Sequence, residues 1–449
     1  MVKMEYFLLM GETKRKRSQQ VKLFFVLILI LLAFSIQKSN CQPISPVLVG
    51  TNVWLNPSPS VWQQAGDAQL QIVRIGGGRY DRRMPTYEQL LEWVNQIQKM
   101  GAEPLIQFSK HSSVDSAAAL VRFMNIENGK NIKYWGIGNE PWLQNKRPHE
   151  TTMAPIIEAY WKPRAAAMKE VDPSIKIYGP NECEYMDTIF NELFGGANDI
   201  TGKVPGKDYY YCDGLTFHRY PQGDGNPGTE GADDIIERIK KAKAKVDEIN
   251  AYHNRKGDSA LGWGIGEFNS KGGPEVHTWG NGQMFGQVLG ACMKYGATFA
   301  TTWSMFEHNG DRKGSDFGMI DGNGTPRASY RHMEFIAKYF KGNYADGTSS
   351  SENVKVFGAR NGDIISVMII NREGGSQNYN LRLDNKLIGG DKLKLSVNAN
   401  SAKEYSDVIP EQTTQVLIFQ GDKLTKWSYC ADDFLNDRAP VFTTIPLVE

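Results

Sequence analysis

From residue 45 onward, short apolar runs rich in β-branched residues recur at 47–54, 71–75, 104–108, 132–138, 175–179, 213–217, 261–265 and 298–303. Most are apolar nearly throughout, the pattern of strands buried on both faces. Helical spacing fills most of the gaps. Residues 87–100 place Leu90, Leu91, Val94 and Ile97 on one face after Pro85. Residues 233–252 carry Ile235, Ile239, Ala242, Val246 and Ile249 as a continuous stripe, with a lysine-rich solvated face opposite. Segments 114–124, 154–171, 283–295 and 328–340 read the same way, with a kink expected at Pro163. The gap at 57–69 is short and gives no firm helix. Eight strands alternating with helices over 45–340 predict an α/β fold, a (β/α)8 TIM barrel. The rival is a doubly wound open sheet. Against it, no GxGxxG follows the first strand, and Gly76-Gly77-Gly78 lacks that spacing.

After residue 340 the period changes. Alternating segments at 353–370, 379–383, 393–397 and 415–419, broken by Asn-Gly and Gly-Gly turns, predict a small C-terminal antiparallel β-sandwich over 341–422. The tail, 423–449, has no assigned role, although Trp427, Tyr429 and Cys430 suit packing. At the other end, Lys14-Arg15-Lys16-Arg17 and Lys22 precede an apolar run at 23–36. That run fits a signal-peptide core and is shorter than the ~20 residues that span a bilayer. Ser39 and Cys41 supply small residues at −3 and −1, so 1–41 reads as a signal peptide and Gln42 as the first mature residue. An uncleaved anchor is the alternative; Lys38 argues against a lipid-attachment signal. The expectation is a secreted protein with no stable membrane association after cleavage. Cys183, Cys212, Cys292 and Cys430 are scattered and form no CxxC pair, so a zinc site is not indicated. Export permits one or two disulfides; buried free thiols fit equally well.

Composition narrows the partners. Of 449 residues, 51 are Lys or Arg and 50 are Asp or Glu, a net charge of +1 that argues against a nucleic-acid ligand. The 45 Gly, 10 Trp and 19 Tyr suit loops and stacking surfaces for polar ring-shaped ligands, as well as ordinary turns and core.

In a barrel, catalytic groups come from the C-terminal ends of strands. Those ends here carry Arg74; Asn139, Glu140 and Trp142; Asn181 and Glu182; His218 and Tyr220; Glu267 and Asn269; and Trp303 and Glu307. Two carboxylates from different strands can converge across one cleft. Glycoside hydrolysis needs such a pair, one to protonate the leaving oxygen and one to attack the anomeric carbon or activate water.

The motif Trp135-Gly136-Ile137-Gly138-Asn139-Glu140-Pro141 resembles the strand-four signature of the clan A retaining glycoside hydrolases. Gly264-Ile265-Gly266-Glu267-Phe268-Asn269 is similar to their strand-seven nucleophile segment. The resemblance runs over 45–340 in strand order, with Arg74 on strand two, His218-Arg219-Tyr220 on strand six and Trp303 on strand eight. The C-terminal region, with Ile365-Ser366-Val367-Met368-Ile369-Ile370-Asn371, is similar to the sandwich appended in families 30, 39, 44, 51 and 79, without singling one out. The resemblance implies that Glu140 is the acid/base, raised in pKa by burial and by the second carboxylate, and that Glu267 is the nucleophile, helped by Arg74 and Tyr220. It further implies that Asn139 binds the sugar 2-hydroxyl, Trp303 floors the reacting sugar and His218 lines the same subsite. Structural alternatives remain: Glu140 as a helix cap, Glu267 and Arg74 as an ion pair, and His218, Tyr220 and Trp303 as core. Trp54, Trp142, Trp279 and Phe306 fit packing better than sugar platforms, and Glu182, Glu275 and Glu307 are rival carboxylates. No metal or organic cofactor is required, and Asp311 and Asp316 lack EF-hand spacing. The expected activity is that of an endo-β-glycanase on a polysaccharide or oligosaccharide. The alternatives are an exo-glycosidase of arabinofuranosidase, xylosidase or glucuronidase type, or a silent carbohydrate-binding protein. The loops at 271–279 and 309–324 are expected to shape selectivity.

Overall fold

The computed structural model describes residues 42–221, 231–307, 317–372, 375–384, 392–397 and 405–446. The proposed signal segment 1–41, Asp311 and Asp316 lie outside the described residues.

The eight apolar runs form β1 (Val49–Val53), β2 (Ile72–Ile75), β3 (Glu103–Phe108), β4 (Tyr134–Ile137), β5 (Lys176–Glu182), β6 (Gly214–Arg219), β7 (Gly262–Phe268) and β8 (Phe299–Thr302). They are parallel, in sequence order, and close into a barrel where Val49 of β1 pairs with Ala300 of β8. The open-sheet alternative is thereby excluded. Helices follow in the gaps, and one of them corrects the sequence reading. Residues Pro59–Asp67 are helical because Ser58 accepts from the Val61 N–H and Pro59 occupies the first turn. Helix Met153–Val171 continues through Pro163.

The N-terminal end of the barrel is plugged. Tyr134, Tyr178 and Phe299 pack with Val47, Ile72 and Leu105, their rings 5.0–6.4 Å apart. The Tyr178 ring occupies the space that a side chain at position 214 would take: a Cβ on Gly214 would lie 2.0 Å from it. With that end filled by apolar side chains, polar chemistry is left to the C-terminal rim.

The C-terminal region is one nine-stranded sheet in the order β14-β12-β13-β9-β10-β11-β15-β16-β17. Its members are β9 (Asn343–Ser349), β10 (Val354–Asn361), β11 (Ile364–Asn371), β12 (Gln377–Asp384), β13 (Lys392–Val397), β14 (Tyr405–Ile409), β15 (Thr413–Gln420), β16 (Lys423–Cys430) and β17 (Val441–Pro446). All pairings are antiparallel except β13 with β9. The sheet folds on itself as a sandwich over Val356, Val367, Tyr379, Leu381 and Leu417, and Tyr405 meets Phe419 across it. The segment after 422 supplies its last two strands, around helix Ala431–Leu435. The sandwich docks on helices Trp279–Tyr295 and Ala328–Tyr339: His332 bonds Thr414 at 2.8 Å, and Trp279 packs on Tyr429. The chain from 42 enters directly into this assembly, with Ile44 N–H donating to Gly342 O and Tyr344 N–H to Gln42 O. Cys183, Cys212, Cys292 and Cys430, the cysteines among the described residues, are free thiols. No helix among the described residues is long and apolar enough to cross a membrane.

Candidate active site

A fully buried arginine organises the C-terminal rim. Arg74 donates through Nη1 to Asn52 and Glu267 and through Nη2 to Gln107 and Asn139, each at 2.7 Å. A buried guanidinium is tolerated only when its donors are met and its charge is balanced. The acceptors come from β1, β3, β7 and the end of β4, so the residue ties the barrel together where the site forms. Asn52 and Gln107 were not among the residues singled out from sequence. The available signal was a lone polar residue inside each otherwise apolar strand. Asn52 also donates to Gly266 O and Thr302 O, and Gln107 accepts from the Gly77 N–H.

Glu267 receives Arg74 on Oε1 and the Tyr220 hydroxyl on Oε2, at 2.8 Å. Burial pushes Tyr220 well above its ordinary pKa, so it remains a donor phenol. His218 Nδ1 lies 3.1 Å from Glu140 Oε1 and 3.5 Å from Glu267 Oε2. Its Nε2 has no partner. Burial lowers the imidazole pKa to about 3, so it is neutral, and the tautomer with the proton on Nδ1 leaves no buried N–H unmet. The register between β6 and β7 shifts after Phe217, inserting Gly266 opposite no partner. A Cβ there would lie 2.7 Å from Asn181 Oδ1 and 2.9 Å from His218 Nε2, so glycine lets the two strands aim His218 and Glu267 at one point.

Glu140 follows β4 in the left-handed region, φ 41° and ψ 54°. Its N–H donates to Asn181 O at 2.8 Å. A non-glycine residue in that region is strained, and such strain collects at functional sites. Its pKa is raised to about 7 by burial, which outweighs the opposing charges of Arg74 and Lys110. The side chain keeps 18% exposure, against 7% for Glu267. One oxygen of each carboxylate and one His218 ring nitrogen all lie within 4.8 Å of one another. Three such atoms are close enough to share an ion. However, Arg74 already occupies Glu267 Oε1, and His218 meets the carboxylates through a donor nitrogen, so the set suits proton transfer better than ligation.

The remaining polar residues separate into two groups. Asn139 accepts from Arg74 through Oδ1, and its amide nitrogen makes no hydrogen bond among the described residues. Trp303, half-buried, stacks on Trp54 at 5.9 Å and 19°; the Trp303–Ser304 peptide is cis. Both indole N–H groups donate to Glu307 Oε1, at 3.1 and 3.2 Å, so this rival carboxylate holds the aromatic pair. Glu182, fully buried, accepts from the Trp142 N–H, and Glu275 pairs with Lys271. Trp279 is at the sandwich interface, between His332, Tyr429 and Phe434, away from the rim. Lys110 pairs with buried Asp81 and donates to Gln144 at 2.8 Å, bracing the loop that carries Glu140.

No family model matches the chain, and no curated protein matches it. Solved structures do. An α-L-arabinofuranosidase from Thermotoga maritima, in an arabinose complex, aligns over 90% of this chain and 97% of its own at 14% identity and TM-score 0.58. CelM2, a bifunctional glucanase-xylanase from a metagenome library, aligns over 85% and 98% at 15% identity and TM-score 0.56. A Paenibacillus polymyxa xyloglucanase of glycoside hydrolase family 44 aligns over 84% and 97% at 14% identity and TM-score 0.54. The shared feature is the fold. These neighbours are glycoside hydrolases, the group whose motifs the sequence resembles, and they span several of its families.

Removing the guanidinium tests the hub. Arg74→Met leaves Glu267 buried without its cation and strands three amide acceptors, which predicts a loss of about 3–5 kcal/mol in stability. Denaturant unfolding of the variant checks this; an unchanged midpoint would remove Arg74 as the organising residue.

Proposed function

We propose that this chain is a retaining glycoside hydrolase acting on a β-linked glycan. Glu140 serves as acid/base and Glu267 as nucleophile. The observation that carries the reading is that one oxygen of each carboxylate lies within 4.8 Å of the other, too close to leave the two groups widely separated. Retention uses carboxyl groups about 5–5.5 Å apart, whereas inversion needs about 6.5–9.5 Å to admit a water. The electrostatics support the same division of labour. Arg74 and Tyr220 both donate to Glu267, the arrangement that stabilises a carboxylate and orients it for attack. Burial keeps Glu140 protonated near neutrality, ready to give its proton to the leaving oxygen, and solvent access lets it later take one from water. Neutral His218 bridges the two without adding charge. The free amide of Asn139 is placed to donate to a sugar hydroxyl, and Trp303 to face the ring. Trp54, which stacks on Trp303, also lines a cavity of about 360 Å³, and room there for a further sugar unit supports endo action on a polysaccharide.

Glu267→Ala is expected to lose activity on the order of 10⁴-fold or more. Azide should restore turnover of an activated aryl glycoside and yield the glycosyl azide of inverted configuration. Full activity in this variant would falsify the assignment.

The pH profile follows from Glu140. Its pKa is raised from 4.5 to about 7, so the protonated form is lost as pH rises through that value. kcat/KM should therefore fall about tenfold per pH unit above about pH 7. Glu140→Gln should abolish that limb. A profile flat from pH 6 to 9 in the wild type would contradict the acid role.

We further propose export through the 1–41 segment, so that the mature chain begins at Gln42. Entry of residue 42 directly into the packed structure supports this. Mass spectrometry of the protein recovered from its native source should find that terminus; a chain retaining 1–41 would overturn it.

A further inference from the structure

We propose that the cavity beside the reaction site is a subsite for an anionic sugar, one bearing a carboxylate or sulfate substituent. This rests on the glycosidase reading above and names the substrate class for it. After β2 the chain passes through Gly76-Gly77-Gly78 into the short helix Gly78–Arg82. Gly77 lies against the Trp303 ring, where a Cβ would come within 2.5 Å of it, so this turn borders the candidate subsite. The turn then presents Arg79, Arg82 and Arg83 to solvent. Its one acid, Asp81, is buried and pairs inward with Lys110.

Arg79 and Arg83 line a cavity of about 360 Å³, within the size range of small-ligand sites. Among the described residues its lining includes those two arginines and no Asp or Glu. Among the described residues neither guanidinium has a carboxylate partner. Since the whole chain carries only +1, this excess is local.

The rest of the lining suits a sugar ring. Half-buried Trp54 contributes aromatic surface, backed by the buried rings of Tyr80 and Trp93, 5.8 Å apart. The Tyr80 hydroxyl donates to Trp54 O at 2.7 Å. Trp54 is the shared wall, because its ring also stacks on Trp303. A glycan continuing from the reacting sugar past Trp54 brings its next unit to Arg79 and Arg83. A guanidinium fork matches a carboxylate or sulfate in two parallel hydrogen bonds, which a neutral hydroxyl cannot do.

The test is calorimetric titration of the Glu267→Ala protein with oligosaccharides of equal length: a polyuronate series, a sulfated galactan series and a neutral xylan series. One acidic series should bind at least about tenfold tighter than the neutral one at low salt. Its identity distinguishes carboxylate from sulfate. The preference should collapse on raising NaCl from about 50 to about 500 mM. It should also vanish in the Arg79→Ala/Arg83→Ala variant and be partly kept in the corresponding lysine pair. Neither side chain has a hydrogen-bond or ion-pair partner among the described residues, so the variants should melt with the parent, which a thermal scan verifies. Equal affinity for neutral and acidic series, or an acidic preference that survives the double alanine variant, overturns the proposal. The two readings fail separately. Turnover of neutral glycans with no acidic preference sinks the subsite alone. Arginine-dependent acidic binding with no turnover of any glycan by the wild type sinks the hydrolase alone.

Discussion

A positive charge buried inside a barrel has to be neutralised and hydrogen-bonded, and Arg74 makes that requirement the frame of the site. Four of its five N–H groups are met at 2.7 Å, by side chains from β1, β3, β7 and the end of β4. Each acceptor is thereby fixed in rotamer, and one of them is Glu267. Asn139, another, immediately precedes Glu140. The placement of both carboxylates thus depends on one guanidinium. The apolar plug of Tyr134, Tyr178 and Phe299 at the opposite end makes this polar cluster possible, because it closes the barrel without needing polar groups of its own.

Around that hub, burial assigns protons. The same low-dielectric surroundings raise Glu140 to about 7 and lower His218 to about 3, because both shifts disfavour charge. A neutral acid and a neutral imidazole beside an arginine–carboxylate pair keep the site near charge balance. Left-handed backbone at Glu140 adds a conformational cost that the Asn181 hydrogen bond and the Lys110 brace help to hold.

Much of this was legible along the chain. Strands buried on both faces announce themselves as unbroken apolar runs, and all eight appeared. Glu140 and Glu267 stood out because carboxylates directly after such runs have few structural reasons to be there. What escaped notice was carried by single residues. Asn52 and Gln107 are lone polar positions inside strands, and only their shared partner in space explains them. Helix Pro59–Asp67 depends on the Ser58 cap more than on length. Strand β17 exposes every residue, so no alternation marks it, and its neighbour β16 begins only where the predicted sandwich ends, at 422. Trp279 shows the converse: an aromatic beside a predicted site loop that packs between domains instead.

The spacing of the two carboxylates has one chemical consequence that can be read without mutating anything. A glycan that the wild-type protein cleaves, followed by proton NMR from the first minutes, reports the anomer released before mutarotation. The proposed double displacement, with one oxygen of each carboxylate within 4.8 Å of the other, predicts that the initial product keeps the configuration of the bond that was cut. Release of the opposite anomer would mean that a water stands between Glu140 and Glu267 during reaction, and the geometry assigned to them would be wrong.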